Sequence, residues 1–455
     1  MRVNVDFINL RVLNRHSFMP VKYFIFVSLI CIVLGAQTLT LEQTIDYAVK
    51  NSPQYQIIYK EKEITRAQGR ASYGAVLPQL SYGYTEATVK SPDGEPIDLG
   101  PLGKISLSAG DEIKNKATEL SVQQLLFSVG GIAAVKAGWS VGKLTNYTYA
   151  DAKEQFVLSV KKAFFDLQMV NQLKELNQEL TVQTAHYVRN AEIMFDNGLI
   201  ARNDMLNARI QLYEAQKNQT NADKMAALAG YNLNTLIGMS VTQNITLAKH
   251  EVIVDESLLT RNFDATALAE GAYKKKPSFL AFHEAVELNN AEQLGAWGAS
   301  LPAVYYSYSQ KDAEYDPKSP MTPDGITETW AISARWNFFA GGSNLFKIHE
   351  KKNNSDKFAE QEKMMRNYVL IEIQSAVDDL RAQVQNVMSA RVQDSLADES
   401  LRIAQINFES GNGTTTQLND ALIQKQGAAT NMIKAMYDYE YARAKLNYAA
   451  GQEIL

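Results

Sequence analysis

The chain has 455 residues, of which 21% are charged and 46% hydrophobic, and its formal net charge is −5. This length would allow about three ordinary domains. The 45 lysines and arginines are scattered among 50 aspartates and glutamates. No clustered basic surface of the kind that binds nucleic acid is therefore indicated, and composition predicts a folded protein with no nucleic-acid partner.

An apolar run from Tyr23 to Leu34 follows four basic residues and precedes Gly35 and Ala36. This order is typical of a secretory signal peptide, and the run is shorter than the about 20 residues that a membrane-spanning helix needs. We predict a signal peptide over residues 1–36, with Met19 as an alternative start. A retained anchor or a buried N-terminal helix is the alternative interpretation.

The single cysteine, Cys31, lies inside this apolar run. Ile30 precedes it where a lipoprotein signal would have a small residue, so acylation is not expected. The mature chain then contains no cysteine, and it must be stable without disulfides.

The prolines indicate an internal repeat. The spacing from Pro53 to Pro78 recurs from Pro277 to Pro302. The sequence "GAVLP" that ends at Pro78 also matches "GASLP" that ends at Pro302. We predict a tandem duplication, with a first repeat over residues 37–240, a linker over 241–264 and a second repeat over 265–455.

Each repeat begins with a proline-poor segment of helical pattern, Leu41 to Ala75 and Ala265 to Ser300. Strands follow. "LSYGYT" and "VYYSYS" come directly after Pro78 and Pro302, and a loop rich in turn residues separates each from a second strand, "ELSVQQLLF" or "TWAISARWNFF". In the last of these, large apolar residues alternate with smaller or polar ones up to Phe339, which predicts a strand with two unlike faces. Each repeat therefore contains a predicted β-hairpin.

Glycine pairs at 130–131 and 341–342 follow these strands, and no proline occurs from there to Asn197 or to Ser410. At 1.5 Å per residue, each segment would form a helix of roughly 100 Å. Apolar residues recur along both at coiled-coil spacing, which predicts helix packing and not a cofactor site. These residues are Met169, Leu173, Leu176, Leu180, Tyr187, Ala191 and Met194 in the first segment and Val377, Leu380, Val384 and Val387 in the second.

Gly198 and Gly411 mark the ends of the two long helices. Glycine just beyond a helix C-terminus accepts a left-handed backbone conformation, so we expect a tight bend at each. The helical pattern resumes after each bend, and the return helix must run back beside the long one. Each bend is thus a tip that lies the length of a helix away from its hairpin.

Two hairpins alone would leave unpaired strand edges. In a bilayer such edges cost several kcal/mol for each unsatisfied backbone group, so a closed barrel would be required and other copies of the chain would supply the missing strands. A soluble sheet would accept the same strands. The export signal together with the long helices favours the membrane interpretation.

This order of elements resembles the TolC-like outer-membrane efflux proteins over nearly the whole mature chain. The most specific part is "NGLIARNDMLNAR" after Asp196, whose pattern is similar to the first periplasmic tip of that family, and "ESGNGTTTQLNDA" is similar to the second tip. The resemblance implies an α+β membrane protein, in which a trimeric 12-stranded β-barrel is continued by a long α-helical coiled-coil periplasmic tunnel. It also implies the cell outer membrane as the location, a homotrimer in outer-membrane lipid, and no cofactor.

The same resemblance implies a passive exit duct of a tripartite efflux or type I secretion system, served by a periplasmic adaptor protein and an inner-membrane transporter. The residues that it implies for the periplasmic tip and adaptor docking are Gly198, Leu199, Arg202, Asp204, Leu206, Gly411, Thr415 and Leu418. Neither the transported substrate nor the pump class can be read from the sequence.

The second tip departs from the family pattern. Thr416 and Asn419 stand where the family has aspartates that ring the aperture, and Phe408 and Gly413 stand where it has a tyrosine and an arginine that latch neighbouring helices. Asp420 lies one residue from the position of the second family aspartate and could partly substitute for it. The expected aperture lining is therefore Thr416, Asn419 and Asp420, and an aspartate gate is not implied.

Two further interpretations stay open. One is an exported coiled-coil scaffold without a pore, and the other is a duct of this family dedicated to protein or metal-ion export. Catalysis is not indicated, since the histidines lack metal-ligand spacing and no glycine-rich phosphate loop is present. The sequence thus predicts no catalytic, cofactor or metal site.

Overall fold

A computed structural model describes residues 38–90, 97–98, 100–102, 104–105, 112–316, 318 and 323–455. The predicted signal peptide over residues 1–36 lies outside the described residues. Within the described ranges, no helix is both long and apolar enough to cross a membrane.

The described residues of the first half form four α-helices. They are α1 (Leu41–Asn51), α2 (Pro53–Ala71), α3 (Val129–Asp196) and α4 (Arg202–Ile237). The second half repeats this order with α5 (Ala265–Lys275), α6 (Pro277–Gly298), α7 (Ser343–Glu409) and α8 (Thr415–Ala450). The long helices α3 and α7 contain 68 and 67 residues, as the proline-free segments predict.

The helical segments before the hairpins are each broken in two, which the sequence analysis did not predict. Ser52 separates α1 from α2 with ψ 124°, and Lys276 separates α5 from α6 with ψ 121°. Each of these residues precedes a proline, whose ring disfavours the helical conformation of the residue before it. The proline then occupies the first position of the next helix, where its missing N–H costs nothing.

One four-stranded antiparallel sheet follows from the two hairpins. It is formed, in the order β1-β4-β5-β6, by β1 (Gln79–Lys90), β4 (Glu112–Phe127), β5 (Ala303–Asp316) and β6 (Gly325–Arg335). The short strands β2 (Ile97–Asp98) and β3 (Lys104–Ile105) pair separately. The two hairpins therefore join through β4 and β5, and β1 and β6 form the edges.

Strand β6 ends earlier than expected. The alternating pattern runs on to Phe339, but the strand stops at Arg335, and the indole of Trp336 donates a hydrogen bond to the Ser300 carbonyl at 3.1 Å. That bond joins the residue after the strand to Ser300, two residues beyond the end of α6. The alternation beyond Arg335 therefore belongs to the connection to α7 and not to the sheet.

The sheet has two unlike faces. Register places Leu80 opposite Val122, and Tyr308 opposite both Val122 and Trp330, so one face is aromatic and aliphatic. The alternate positions are small or polar, because Ser121 pairs with both Ser81 and Ser309. This period of two is the pattern of a strand with one apolar and one polar surface.

The four long helices form two antiparallel pairs. The first helix pair is α3 with α4, the second helix pair is α7 with α8, and α3 packs against α8 between them. Several predicted coiled-coil positions are buried in these contacts, among them Leu180, Tyr187 and Ala191 of α3. All four predicted positions of α7, from Val377 to Val387, are also buried.

The segment 241–264 between the halves is packed against both of them. Leu247 forms a parallel bridge with Leu39 and contacts a cluster that contains Phe164 and Phe165. Further along, Leu258 is fully buried among residues of α5, α7 and α8. The segment therefore ties the two halves together at the level of the short helices.

Candidate functional site

The two bends have the same backbone geometry, and it explains their glycines. Gly198 has φ +71° and Gly411 has φ +74°, both in the left-handed region. In the first bend, the Gly198 N–H donates to the Phe195 carbonyl and the Leu199 N–H to the Met194 carbonyl, at 2.9 and 2.8 Å. This is a Schellman C-cap, which satisfies the last carbonyls of the helix. The second bend repeats both bonds, and the left-handed glycines predicted from the sequence are confirmed.

The return helices begin differently at the two tips. Thr414 caps α8 with a capping box, in which its hydroxyl accepts from the Gln417 N–H at 3.3 Å and its own N–H donates to Gln417 Oε1 at 3.0 Å. Ala201 occupies the same place before α4 and provides no side-chain bond. The second tip therefore has a stabilised helix start that the first tip lacks.

A shared apolar cluster holds the two tips together. We call it the tip core, and its buried residues are Tyr187, Val188, Ala191, Ala208, Leu401, Phe408, Leu418 and Ala421. The first four belong to α3 and α4 and the last four to α7 and α8. Among them, Phe408 is 1% exposed and Leu418 2%.

The predicted docking residues divide by exposure. Gly198, Leu199, Arg202, Leu206 and Gly411 are exposed, with Leu199 at 69%, and Asp204 is half-buried. Leu418 and Thr415 are buried at 2% and 3%. In this chain these two residues pack inside the tip, so any surface offered to a partner must be formed by the exposed ones.

The predicted aperture residues lie on the first turns of α8. Thr416 and Asp420 are exposed, and Asn419 is half-buried. Phe408, which stands at a latch position of the family pattern, instead contributes to the tip core. Gly413 lies against Asn407 and Phe408, where a Cβ atom would meet backbone and side-chain atoms at 3.0 Å.

Ion pairs tie the helices within each pair. Glu192 of α3 binds Arg209 of α4 at 2.7 Å, and Lys425 of α8 binds both Asp394 and Asp398 of α7, at 2.9 and 2.6 Å. Burial alone would lower the pKa of Lys425, but its bonds to the two carboxylates outweigh this and raise it. This site was not predicted from the sequence, although aspartates four residues apart on a helix share a face.

The contacts between the two helix pairs are of a different kind. The Gln172 amide donates to the Tyr437 hydroxyl at 2.8 Å, and the Gln426 amide donates to Asn177 Oδ1 at 3.0 Å. Among the described residues, no ion pair joins α3 or α4 to α7 or α8 within 4.0 Å. Neutral hydrogen bonds, the tip core and a cation–π contact of Lys162 with the Tyr441 ring, at 5.5 Å, therefore connect the two pairs.

The outer helices of this arrangement carry unpaired apolar side chains. On α4 these are Leu206, Ile210, Tyr213, Met225, Leu228 and Tyr231, and on α7 they include Met364, Tyr368, Ile371, Val392, Leu396, Ile403 and Ile406. Of the two central helices, α8 exposes Ile423, and α3 exposes Ile132, Val135, Trp139, Val182 and Ile193. Exposed apolar stripes at coiled-coil spacing indicate surfaces that pack against another helix.

No metal site is formed in the part of the chain that the structure describes, where no three histidine, cysteine, aspartate or glutamate side chains come close enough to share an ion. The cavities between the helices are open grooves. One of them, of about 560 Å³, lies between α3 and α8 and is lined by residues such as Lys153, Val157 and Tyr448. Neither feature provides an arrangement for catalysis.

Comparison with known proteins gives consistent results. Residues 44–239 match the family model described as outer membrane efflux protein. The alkaline protease secretion protein AprF of Pseudomonas aeruginosa is 21% identical over 422 residues, which are 89% of this chain and 82% of AprF. The structure of CusC is similar with a TM-score of 0.74 and 14% identity, covering 90% of this chain and 92% of CusC. The outer membrane protein VceC of Vibrio cholerae has a TM-score of 0.73 and 14% identity, covering 91% and 97%.

The chain thus shares the fold of solved outer-membrane channel proteins, and its residues 44–239 carry the pattern of the outer membrane efflux protein family. The resemblance to the TolC-like outer-membrane efflux proteins that was noted from the sequence is thereby confirmed.

Proposed function

We propose that three copies of this chain form one closed channel, the passive exit duct of a tripartite efflux or secretion system. An inner-membrane pump delivers the cargo through a periplasmic adaptor that docks at the tips. One observation carries the proposal. The sheet ends in two unpaired edge strands, and the outermost long helices carry exposed apolar stripes, so one chain is an incomplete part of a ring.

The edges of the sheet support closure between copies. Strands β1 and β6 lie at opposite edges, and β1 runs antiparallel to β6 because three antiparallel pairings separate them. Strand β6 of one copy can therefore pair with β1 of the next in the antiparallel sense that the rest of the sheet uses. Three copies would give twelve strands, and closure would satisfy every edge group in the bilayer.

The helices support the same closure. The order across the chain is α4, α3, α8, α7, and the outermost helices α4 and α7 carry the exposed apolar stripes. In a ring, α7 of one copy would lie beside α4 of the next and bury both stripes. We infer that residues 37–240 and 265–455 are structural repeats joined by the linker 241–264, which would make the contacts within and between chains similar.

The faces of the sheet suit a membrane barrel. The face with Tyr82, Tyr308 and Trp330 would contact lipid, since apolar and aromatic side chains cover the outside of such barrels. The face with Ser81, Ser121 and Ser309 would line a hydrated pore. The rest of the tunnel would be formed by the long helices in the periplasm.

The tips are the proposed docking site for the adaptor. The exposed residues Gly198, Leu199, Arg202, Leu206 and Gly411 would form the contact surface, with Asp204 beside them. Thr416, Asn419 and Asp420 would line the aperture. The buried Leu418 and Thr415 would support this surface from within.

The experiment that tests the channel is the mass of the purified protein. In detergent, light scattering should give about three times the mass of the mature chain. A monomer recovered from the soluble periplasmic fraction would favour the alternative of an exported coiled-coil scaffold without a pore.

A second experiment tests the orientation. The predicted hairpin loops, residues 91–111 and 311–327, should face the cell exterior, because the hairpin ends opposite the long helices point away from the periplasm. The ends of the second range belong to β5 and β6. The described ranges cover only parts of both loops. Epitope tags inserted there should be labelled on intact cells, whereas labelling only after permeabilisation would contradict the orientation.

The similarity to AprF favours an exported protein as cargo over a small molecule, because that relative is named for the secretion of alkaline protease. Deletion of the gene should then remove particular proteins from the culture supernatant. Unchanged secretion together with greater sensitivity to toxic small molecules would instead support efflux.

A further inference from the structure

We propose that the hydrocarbon of the outer membrane reaches below the sheet and covers the first turns of α3 and the last turn of α6. The inference rests on the proposed channel function. The partner is lipid, namely the acyl chains of the periplasmic leaflet, and the site is an exposed apolar patch that we call the junction patch. The residues of the junction patch are Ile132, Val135 and Trp139 of α3 and Trp297 of α6.

The junction patch has no protein partner in the chain or in the proposed ring. The spacing i, i+3, i+7 places its three α3 residues on one face of the helix, and Trp139 and Trp297 are 67% and 56% exposed. Both helices lie between neighbours of the same chain, since α3 packs against α2 and α6, and α6 packs against α3 and α7. A neighbouring copy would therefore leave the patch uncovered.

Helix geometry places the α3 part of the patch on the outside of the ring. Helix α2 meets α3 at Gly138, and α6 meets it at Ala133. At about 100° per residue, these two contacts are about 140° apart around α3. Neighbouring helices in a closed ring subtend less than 180° on the lumen side, so the lumen lies within that arc. Trp139 lies about 100° from Gly138 on the other side, in the wider arc, and so faces outward.

Two further observations agree with this sidedness. On α6, Gly295 meets α3 and Asn289 meets α7, and Trp297 again lies in the wider arc between these contacts. Phe164 lies on the face of α3 that carries the patch, about seven turns below Trp139, and it clusters with Leu247 of the segment 241–264. Three copies of such an added layer would fill the lumen, so this face belongs to the outside.

Charged side chains begin where the patch ends. Lys143 lies one turn beyond Trp139, with its Nζ 5.0 Å from the centre of the indole ring. Further down the outward face, Lys153 is exposed. Lys136, at the height of the patch, is directed to Glu287 of α6 at 3.7 Å. Tryptophan with lysine beside it is typical of the boundary between hydrocarbon and headgroups, where the lysine extends its ammonium group to the polar side.

The upper limit of the apolar surface lies within the sheet. On the lipid-facing side of β4, Val122 and Leu120 are followed towards the loop by Lys116. Lys116 pairs with Glu86 of β1 at 3.3 Å and lies opposite Glu314 of β5. Charges on this side are unfavourable in hydrocarbon, so the hydrocarbon should end below them and the upper parts of the strands should rise above it.

The height of the apolar surface agrees with this placement. From Leu120 to Phe127 the strand covers roughly 18 Å across the membrane, at about 3.3 Å per residue and a tilt of about 40°. The outward apolar band of a membrane barrel is about 25 Å tall, so the sheet alone falls short. The turns from Val129 to Val135 add roughly 9 Å at about 1.5 Å per residue, which brings the height to about 27 Å.

Tryptophan fluorescence tests the placement, because the chain has four tryptophans, Trp139, Trp297, Trp330 and Trp336. Each is kept in turn while the other three are replaced by phenylalanine, and the trimers are reconstituted in phosphatidylcholine vesicles with brominated acyl chains. Trp139 and Trp297 should lose emission at least about twofold to the brominated lipid and little to aqueous iodide, because their rings lie at the hydrocarbon boundary. Trp330, on the lipid-facing side of the sheet, is the positive reference.

The matched control is Lys153→Trp in a chain without other tryptophans. It lies on the same outward face but below the patch, so iodide should quench it and brominated lipid should not. If Trp139 shows the behaviour of Lys153→Trp, the patch lies in water and the inference is overturned.

Thiol labelling provides a measurement that does not need the tryptophan variants to assemble. In isolated outer-membrane fragments that carry Cys31→Ser, a charged maleimide should label Val135→Cys at least about tenfold more slowly than Lys153→Cys, because hydrocarbon excludes the charged reagent. Equal labelling rates would contradict the placement.

The outcomes separate this inference from the proposed function. Quenching of Trp330 by brominated lipid, together with quenching of Trp139 by iodide alone, would refute the lower membrane boundary and leave the channel intact. Failure of brominated lipid to quench Trp330 would refute the membrane position of the sheet, and with it both the channel and the inference.

Discussion

Gly198 and Gly411 both have a left-handed backbone conformation, and the space around both is open. A Cβ atom at either position would meet no other atom within 4 Å, so the cost of a side chain is the left-handed conformation, about 1–2 kcal/mol. We predict that Gly198→Trp and Gly411→Trp form normal amounts of outer-membrane trimer but lose export and adaptor cross-linking, because the indole obstructs close approach at the tip.

Alanine at the same positions is the matched control for these variants. It imposes the same backbone cost without the bulk, so Gly198→Ala and Gly411→Ala should retain most of the export activity. Wild-type export by the tryptophan variants at equal expression would show that the bends are turns without a docking role.

Tyr437 provides a prediction about pH. Burial, and after it the charges of Glu175 and Glu440, raises the pKa of its hydroxyl from 10.0 to about 12. Below pH 10 the phenol is neutral in the folded and the unfolded chain, and its contribution to stability is complete. As the pH rises towards 12, the unfolded chain loses this proton first, so the folded state loses stability.

The variant Tyr437→Phe should therefore lose less stability than wild type between about pH 9 and 11. Thermal unfolding midpoints at the two pH values measure this difference. The Gln172 amide loses its acceptor in the variant, so the midpoint at the lower pH should also fall, and only the change with pH is diagnostic. Tyr448, whose pKa burial also raises to about 12, retains part of the alkaline sensitivity. Equal alkaline shifts in both proteins would contradict the assignment to Tyr437.

Among the elements, the return helices α4 and α8 differ in how they begin. The capping box of Thr414 satisfies backbone groups at the start of α8, whereas Ala201 leaves the start of α4 without a side-chain partner. Thr414→Ala should destabilise α8 by about 1 kcal/mol, and Ala201→Ser should stabilise α4 by roughly 0.5 kcal/mol or more.

Hydrogen exchange at the first amides of each helix tests this prediction. Exchange should become faster near Gln417 in Thr414→Ala and slower near Asp204 in Ala201→Ser. The extended backbone of Ala201, with ψ 154°, already has the conformation that a capping serine requires. Unchanged exchange near Asp204 in Ala201→Ser would show that a capping side chain does not stabilise the start of α4.

The elements also show how far the sequence determines the fold. The ends of α3 and α7 follow from local chemistry, since a proline-free helix stops where glycine adopts a left-handed conformation. The breaks at Ser52 and Lys276 follow from local chemistry too, but a helical pattern conceals them because prolines at the first position of a helix do not interrupt the apolar spacing. Strand β6 stops at Arg335 through a tertiary bond of Trp336 that alternation cannot reveal.

The candidate site was less predictable than the fold. The positions of the bends are visible in the sequence, but the burial of Leu418 and Thr415 depends on the other helix pair lying against them. A heptad pattern shows which side chains pack and does not show which partner they pack against. The tip core, which brings α3 and α7 into one cluster, is for that reason a tertiary feature.

At the scale of the whole molecule, the open edges are the main feature. The apolar stripes on α4 and α7 would remain in water in a single chain, and burial of such a surface provides the driving force for association. Ile210 of α4 and Ile403 of α7 lie on these stripes and are 55% and 48% exposed. In the proposed ring, both would lie at the contact between neighbouring copies.

A charged residue at this contact should therefore prevent assembly. We predict that Ile403→Asp and Ile210→Asp yield folded monomers or a trimer that dissociates in detergent at lower temperature, because each of three contacts would bury an unpaired carboxylate. Val182→Asp is the matched control, since Val182 is also 55% exposed but lies on α3, whose neighbours α4 and α8 belong to the same chain. Light scattering in detergent, with helix content followed by circular dichroism, measures mass and folding separately. Loss of the trimer in Val182→Asp and its retention in Ile403→Asp would show that the copies meet through other surfaces, and the helix order α4, α3, α8, α7 would no longer predict the contact.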